Sequence, residues 1–535
     1  MAKVNSSRRP VSNRPLVWTI AGSDSGGGAG VQADLASMLD LETHGCSVIT
    51  AVTAQSSVTV AAVEAVSDEM LVAQLDTLAA DLIPKAIKIG LLASQLQINI
   101  VASWLADKLA LWQGDNLAVP VILDPVMVAT CGDALAKGAQ LDFSPFKGLL
   151  TLITPNVSEL AILAGRPLST AEESIKAATS IAVLLATSVL AKGGDKGPHW
   201  HQEHARDLLV CHQVTGISSV HRDQAFWLTS PRIATNNSHG TGCTLSSAIT
   251  AVMAHGFVLN DAVVVAKAYV SQGLHHSYQP GSGPGCLARC GWPNELLSYP
   301  FIEPLSSSNQ SLYGVNASSK QVYAFKKIVE PLGVYPVVAE VELLQQLLSA
   351  GAKTIQLRVK DENDPLLEQK IVQAIALGRD YRAKVFINDH WQLAIKHQAY
   401  GVHLGQEDLF ESNIKRLNEA DIALGLSSHS YFEILLAMQH QPSYIAFGHI
   451  FPTTTKQMPS APQGLNKLAR YVDLMQGELP IVAIGGIDVG NLAAVKASGV
   501  DDVAVVRAVT EANDPAKAYQ TLADEWTLGV SNGAL

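Results

Sequence analysis

Short apolar, β-branched runs alternate along this chain with amphipathic stretches of helical period, and the rhythm changes once. The first half opens with "LVWTIAG", a glycine-rich turn and the helical pattern "VQADLASMLDLETHG". Further strand-like runs follow at "CSVITAVTAQ", "KAIKIGLL", "VPVILDPVM" and "LLTLITPN". Strands alternating with helices predict an α/β unit around a largely parallel sheet covered on both faces. The pattern fails near "QPGSGPGCLARCGWPNE", and the Ser- and Asn-rich "EPLSSSNQSLYGVNASS" has the composition of a linker, with the seam across roughly 281–319. Beyond it lie eight short strand-like runs: "LGVYPVV", "TIQLRVK", "KVFINDH", "YGVHLGQ", "IALGLSSH", "YIAFGHIF", "IVAIGGI" and "DVAVVRAV". Eight strand–helix units in about two hundred residues are the arithmetic of a (β/α)₈ barrel, a TIM barrel. The expected division is a polar tail over 1–14, an α/β domain over 15–285, a linker over 286–325 and the barrel over 326–535.

Composition narrows the picture. The 535 residues exceed what one core serves, and 48% hydrophobic with 16% charged content describes compact globular domains. A formal net charge of −11 argues against nucleic acid or an anionic membrane as the main partner. Six scattered cysteines do not form a secreted disulfide framework, and the pair Cys286 and Cys290 lacks the four ligands of a structural zinc. The polar N-terminus has no signal-peptide core, and the apolar run "IAVLLATSVLA" is too short to span a bilayer, so a cytoplasmic protein is expected.

Candidate chemistry in the first half centres on two glycine clusters. "AGSDSGGGAGVQADL" clears side chains where backbone must approach something, yet matches neither a Walker loop nor the Rossmann spacing. "HGTGCTLSSA" should open a helix whose N–H groups and dipole face an anion, bringing in Gly240, Thr241 and Gly242. Asn156 and Glu159 in "TPNVSE" suit a Mg²⁺–phosphate shell, and Lys192 in "LAKGGD" suits a nucleotide phosphate. In the barrel, polar residues gather at the C-terminal ends of the strands, the catalytic edge of such folds. Asp389 and Asp408 suit Mg²⁺ carrying phosphate oxygens. Arg358 and Lys360 alternate toward one face and one diphosphate. "FPTTTKQ" offers hydroxyls and Lys456 for a second phosphate, and "AIGGI" offers bare backbone.

"IAGSDSGGGAGVQADL", "GCSVITAVTAQ", "KIGLL", "DPVM", "LITPNVSE" and "HGTGCTLS" resemble, in family order from Leu16 to about Gly285, the hydroxymethylpyrimidine/phosphomethylpyrimidine kinases of thiamine biosynthesis. The resemblance implies a ribokinase-like fold, with ATP as co-substrate and Mg²⁺. Asp34 and Gln55 would hydrogen-bond the aminopyrimidine, and Gly240–Gly242 would form the anion hole beside Cys243. That cysteine stands where the wider superfamily carries Asp. Either its thiol is lowered at the helix N-terminus and takes the hydroxyl proton, or it only shapes the hole. Leu91 replaces a frequent Met against the pyrimidine.

"TIQLRVKD", "FINDHWQLAIKHQAYGVHLGQEDL", "GLSSH", "GHIFPTTTKQMPSAPQGL" and "VAIGGI" resemble thiamine-phosphate synthase over nearly all of the chain from Leu332. That resemblance implies that Gln356, Arg358, Lys360 and Asn388 hold a pyrimidine diphosphate and that Asp389 and Asp408 hold its Mg²⁺. Ser427, Thr453, Thr455, Lys456 and Gly485 would line the pyrimidine and thiazole-phosphate sites. Lys360 and Lys456, with Mg²⁺, would offset the charge of departing pyrophosphate before the thiazole nitrogen captures the pyrimidine cation. Arg507 departs from a usual small Ser and either adds a phosphate contact or crowds that pocket. The implied partners are small molecules, with self-association common to both families. The alternatives are a broader pyridoxal/pyrimidine kinase, or a kinase joined to a non-catalytic, thiamine-phosphate-binding barrel.

Overall fold

The computed structural model describes residues 14–127, 141–194, 203–212, 225–305, 323–453 and 461–528. They fall into two compact units, one ending at Leu305 and the other holding the described residues from 323 onward.

The first unit is built on a ten-stranded sheet among the described residues, in the order β10-β9-β8-β7-β6-β5-β4-β1-β2-β3. The strands are β1 (Leu16–Ser23), β2 (His44–Gln55), β3 (Val60–Ala65), β4 (Ala86–Ile89), β5 (Val121–Leu123), β6 (Leu152–Ile153), β7 (Ser188–Ala191), β8 (His204–Val210), β9 (Ala225–Pro231) and β10 (Phe301–Pro304). From β7 to β2 all neighbours are parallel; β3 and β8–β10 are antiparallel margins. Every residue of β4, β5 and β7 is buried, as a strand covered on both faces requires. The helices Gly30–Asp40 and Thr241–Ala254 pack on each other and on β1. A cluster of Trp18, Trp104 and Trp112, with ring centroids 6.0–6.2 Å apart, anchors β1, and the Trp18 indole N–H donates to the Leu82 carbonyl at 2.9 Å.

Two boundaries differ from expectation. The helix after β1 stops at Asp40, because His44–Gly45 already pair with Leu16–Val17 in the sheet. The first unit also runs past residue 285: β10 pairs antiparallel with β9, so 286–305 belong to this domain rather than to a linker.

The second unit is a closed barrel of eight parallel strands in sequence order. They are β11 (Val334–Val338), β12 (Thr354–Leu357), β13 (Lys384–Asn388), β14 (Gly401–Leu404), β15 (Ala423–Ser428), β16 (Tyr444–Phe447), β17 (Ile481–Ile484) and β18 (Asp502–Val505). Each falls within a run read from the sequence. Tyr335, Phe386, Ala423, Tyr444, Val482 and Ala504 pack in its core. The two α/β architectures expected, a largely parallel sheet domain and an eight-stranded parallel barrel, are those observed. Among the described residues no helix is long and apolar enough to cross a membrane.

Asp502 opens β18 at the barrel's N-terminal end, buried. One oxygen accepts the Gly333 N–H at 2.6 Å, and the other has no hydrogen-bond partner. Burial pushes this carboxyl up to about 6, against the opposing pull of the Gly333 and Leu332 N–H groups. A raised carboxyl pKa favours the folded state at low pH, and that contribution is lost as pH rises from about 4 through about 6. Asp502→Asn keeps an acceptor for Gly333 without the charge. It should raise barrel stability by on the order of 1 kcal/mol at pH 8, with the gain vanishing near pH 4. Urea unfolding across that range, with hydrogen exchange reporting the barrel strands, checks this.

Candidate active sites

The parallel strands of the first unit all end at one edge, where an open α/β sheet holds its ligands. Asp24 follows β1, Leu91 follows β4, Asp124 follows β5, Asn156 follows β6 and Lys192 follows β7; all line one cleft of about 1600 Å³.

Its first wall is organised by Asp24, which the motif reading passed over. The glycine-rich turn folds around this buried carboxylate, which accepts N–H groups from Gly26 (2.8 Å), Gly28 (3.1 Å) and Ala29 (2.8 Å). His239, from the second glycine cluster, shares a 3.0 Å hydrogen bond with the same carboxylate. Burial raises the Asp24 pKa, but His239 and the N–H donors outweigh it and hold the group below the ordinary carboxylate range. The clusters then meet backbone to backbone: a Cβ on Gly240 would stand 1.8 Å from the Gly28 carbonyl oxygen, and Gly240 has φ +77°.

Gly240 caps the helix Thr241–Ala254, whose first turn faces the cleft through Thr241, Gly242 and Cys243. At Gly242 a Cβ would lie 3.2 Å from the Lys192 ammonium and 3.4 Å from the Asp124 carboxylate. Lys192 and Asp124 are paired at 2.7 Å. Burial opposes both charges, yet their mutual attraction wins: Lys192 is held above its usual range and Asp124 below it. A cation at a helix N-terminus stripped of a side chain suits a phosphate group. Asn156 and Glu159 line the cleft and cap the helix Val157–Leu163 reciprocally: the Glu159 N–H donates to Asn156 Oδ1 at 2.9 Å, and the Asn156 N–H donates to Glu159 Oε2 at 2.7 Å. Gln55 lines the cleft, its backbone tied to Ser25.

One expectation needs correction, and one of two open alternatives loses support. Asp34 does not reach the cleft. It is fully buried, and its carboxylate accepts from Thr19 (2.5 Å), Lys88 (2.7 Å) and Ser247 (2.5 Å), partners 15, 54 and 213 residues away. Its place is beneath the site, pairing Lys88; a lysine inside the apolar run "AIKIG" was the available signal. Of the two roles left open for Cys243, that of a lowered thiol finds no support in its surroundings. Burial pushes it up to about 11, Lys88 pulling down by less, while Asp34 and Asp124 add to the rise. Desolvation and the two carboxylates outweigh Lys88 and the Gly30 backbone, which favours the neutral thiol at neutral pH.

At the barrel mouth, the expected residues within the described chain sit at strand C-termini or in the loops that follow. Arg358 is half-buried and Lys360 exposed, either side of buried Val359, and the Arg358 N–H donates to the Val338 carbonyl at 2.7 Å. Asn388 ends β13, buried, and donates through Nδ2 to the carboxylate of Asp389. Asp389 has φ +63°, and its N–H donates to the His403 carbonyl at 3.0 Å. Asp408 lies in the helical turn after β14, where it accepts the Gly405 N–H at 3.2 Å. Gly485 and Gly486, with φ +102° and +68°, lie against the loop after β16: Cβ atoms there would stand 2.5 Å from His449 Cβ and 2.7 Å from Phe451 Cβ. That loop leads to Thr453; Thr455 and Lys456 fall outside the described residues.

The barrel interior holds a polar chain absent from the motif reading. Ser427 Oγ meets His403 Nε2 at 2.8 Å, His403 Nδ1 meets the Tyr444 hydroxyl at 2.7 Å, and Tyr444 meets the Tyr335 hydroxyl at 3.1 Å. The Gln356 side chain also bonds Tyr444. Burial, helped by Arg358, pushes His403 down to about 4, so its imidazole is neutral and orients Ser427 without charge.

Residues 24–288 match the family model of phosphomethylpyrimidine kinase, and residues 334–509 match that of thiamine monophosphate synthase. The thiamine-phosphate synthase of Pectobacterium atrosepticum is 53% identical over 198 residues, 37% of this chain and 93% of that protein. Among solved structures, phosphomethylpyrimidine kinase from Clostridium difficile 630 is 30% identical over 48% of this chain and 98% of its own, with a TM-score of 0.36. Staphylococcus aureus pyridoxal kinase in complex with ADP is 29% identical over 54% of this chain and 98% of its own, with a TM-score of 0.44. The chain belongs to the thiamine-phosphate synthase family through its barrel and carries a phosphomethylpyrimidine kinase domain before it. It is a bifunctional enzyme of thiamine biosynthesis.

Three outcomes follow for the kinase. Gly240→Ala drives a Cβ into the Gly28 carbonyl from a left-handed backbone position, so pyrimidine phosphorylation should fall by about a hundredfold or more while thiamine-phosphate synthesis from supplied diphosphate persists. Because burial pushes the Cys243 thiol up to about 11, kcat between pH 6 and 9 should show no step from its ionisation. Cys243→Ala should then keep at least about a tenth of kcat, since phosphoryl transfer rests on positioning and charge; a loss of about a thousandfold would restore the thiolate base.

Proposed function

We propose that the first unit transfers phosphoryl groups from ATP to hydroxymethylpyrimidine and then to its monophosphate, and that the barrel couples the resulting diphosphate to thiazole phosphate. The observation carrying this reading is the convergence at Gly242 of the helix N-terminus, Lys192 and Asp124, in the cleft that Gln55 and Leu91 also line.

In the first transfer the substrate hydroxyl oxygen bonds the γ-phosphorus, the bond to ADP breaks and the hydroxyl proton is released. In the second, a phosphate oxygen takes the hydroxyl's place. Lys192 and the backbone of Gly240–Gly242 hold the phosphoryl oxygens, and Gln55 and Leu91 fix the pyrimidine. Cys243 stays protonated and shapes the hole. In the barrel the methylene–oxygen bond breaks, pyrophosphate leaves with the electron pair, and the thiazole nitrogen lone pair forms the C–N bond, leaving a thiazolium. Gln356, Asn388 and Ser427 orient the pyrimidine, Arg358 and Lys360 hold the diphosphate, and Thr453, Thr455, Lys456 and Gly485 receive thiazole phosphate.

Asp389, directly after β13, and Asp408, in the helical turn after the neighbouring β14, fit a Mg²⁺ role as hard oxygen donors. Among the described residues no three His, Cys, Asp or Glu converge on a metal position, so such an ion would complete its shell with phosphate and water, as Mg²⁺ commonly does. Bound there, it would offset charge on the departing pyrophosphate.

The purified chain, given hydroxymethylpyrimidine, thiazole phosphate, ATP and Mg²⁺, should release thiamine phosphate and pyrophosphate together. Asp389→Ala should abolish both while pyrimidine diphosphate still accumulates. Accumulation of diphosphate in the unmutated chain, with no thiamine phosphate, would instead make the barrel a binding module.

A further inference from the structure

The kinase cleft contains a polar group outside every motif described above. Asp207 on β8 and Lys267 on the helix Leu259–His275 both line it, 6% and 7% exposed, with Lys267 Nζ donating to Asp207 Oδ2 at 2.6 Å. The other carboxylate oxygen, Oδ1, accepts the backbone N–H of Gly193 at 2.8 Å. Gly193 follows Lys192, whose ammonium lies beside Gly242. Opposite β8, register pairs Ala205 with Ser230 and Asp207 with Leu228, so Ser230 shares the face of Asp207 two positions along. The Ser230 hydroxyl lines the cleft, is buried and has no hydrogen-bond partner, a costly arrangement unless a ligand completes it.

We propose that Asp207 is a positioning residue for the phosphoryl donor, holding Gly193 so that Lys192 meets the donor's phosphates, while Ser230 hydrogen-bonds the donor's nucleoside. The arrangement needs Lys267, because an unpaired carboxylate in this cleft would repel the triphosphate it helps to place. The proposal rests on the kinase reading above.

Two double variants isolate the Gly193 bond without leaving a buried charge unpaired. Asp207→Asn with Lys267→Met keeps an oxygen acceptor; Asp207→Leu with Lys267→Met removes it. Isothermal titration of the full chain with Mg²⁺–ATP should show the Leu/Met variant binding about tenfold or more weakly than the Asn/Met variant, the scale of one lost hydrogen bond in a charged site. Hydroxymethylpyrimidine should bind both within about twofold, which also checks that they fold. Ser230→Ala should weaken ATP severalfold and leave inorganic triphosphate unaffected. Equal ATP affinity in the two doubles, or pyrimidine affinity falling in step with ATP, would overturn the positioning role; an unchanged ATP affinity in Ser230→Ala would overturn the nucleoside contact. If the unmutated chain binds ATP but transfers nothing to the pyrimidine, the kinase reading fails and this comparison still stands.

Discussion

Backbone can approach backbone only where no Cβ stands between, and both units build their candidate sites on that constraint. In the first, Gly240 meets the Gly28 carbonyl, and the two glycine clusters close into one wall tied by the Asp24 carboxylate. In the second, Gly485 and Gly486 lie against His449 and Phe451, so the loops after β16 and β17 are held together. The position of the helix Thr241–Ala254, and with it the direction of its N-terminus, follows from the first of these contacts.

Charge is handled differently in the two units. Beneath and along the kinase cleft lie three Lys–Asp pairs, Asp34–Lys88, Asp124–Lys192 and Asp207–Lys267, each at 2.6–2.7 Å and largely withdrawn from water. Buried pairs of this kind contribute little net stability, because desolvation offsets much of the attraction. What they provide is fixed position: each cation is already oriented, and its partner offsets its charge. Burial, with Asp34 and Asp124 nearby, pushes the Cys243 thiol up. The barrel instead fills its interior with the neutral chain of Ser427, His403, Tyr444 and Tyr335, and keeps the charges of Arg358, Lys360, Asp389 and Asp408 at the mouth, where a diphosphate can reach them.

The two activities share a chemical logic. A kinase makes a poor leaving group into a diphosphate, and the synthase uses its departure to form a bond. In neither half does a side chain form a covalent bond to substrate in the proposed mechanism. Rigid placement of donors and cations therefore matters more than nucleophile activation, which accords with how much of each site is backbone.

By itself the sequence determined the two fold classes and the eight barrel strands, because each is a run of β-branched residues set off by helical spacing, a local signal. It also marked the residues at the ends of parallel strands, since a polar residue after a buried strand has only the sheet edge to occupy. Tertiary structure decided the rest. Asp34 sits in a helix pattern that gives no sign whether its face turns toward the cleft or down onto Thr19, Lys88 and Ser247; partners up to 213 residues away settle that. The antiparallel margins β8 to β10 and the inclusion of 286–305 depend on pairing between distant segments rather than on local propensity. The thiol of Cys243 is set by burial and by neighbours from three other elements, so a motif that places it at a helix N-terminus states only one of the forces acting on it.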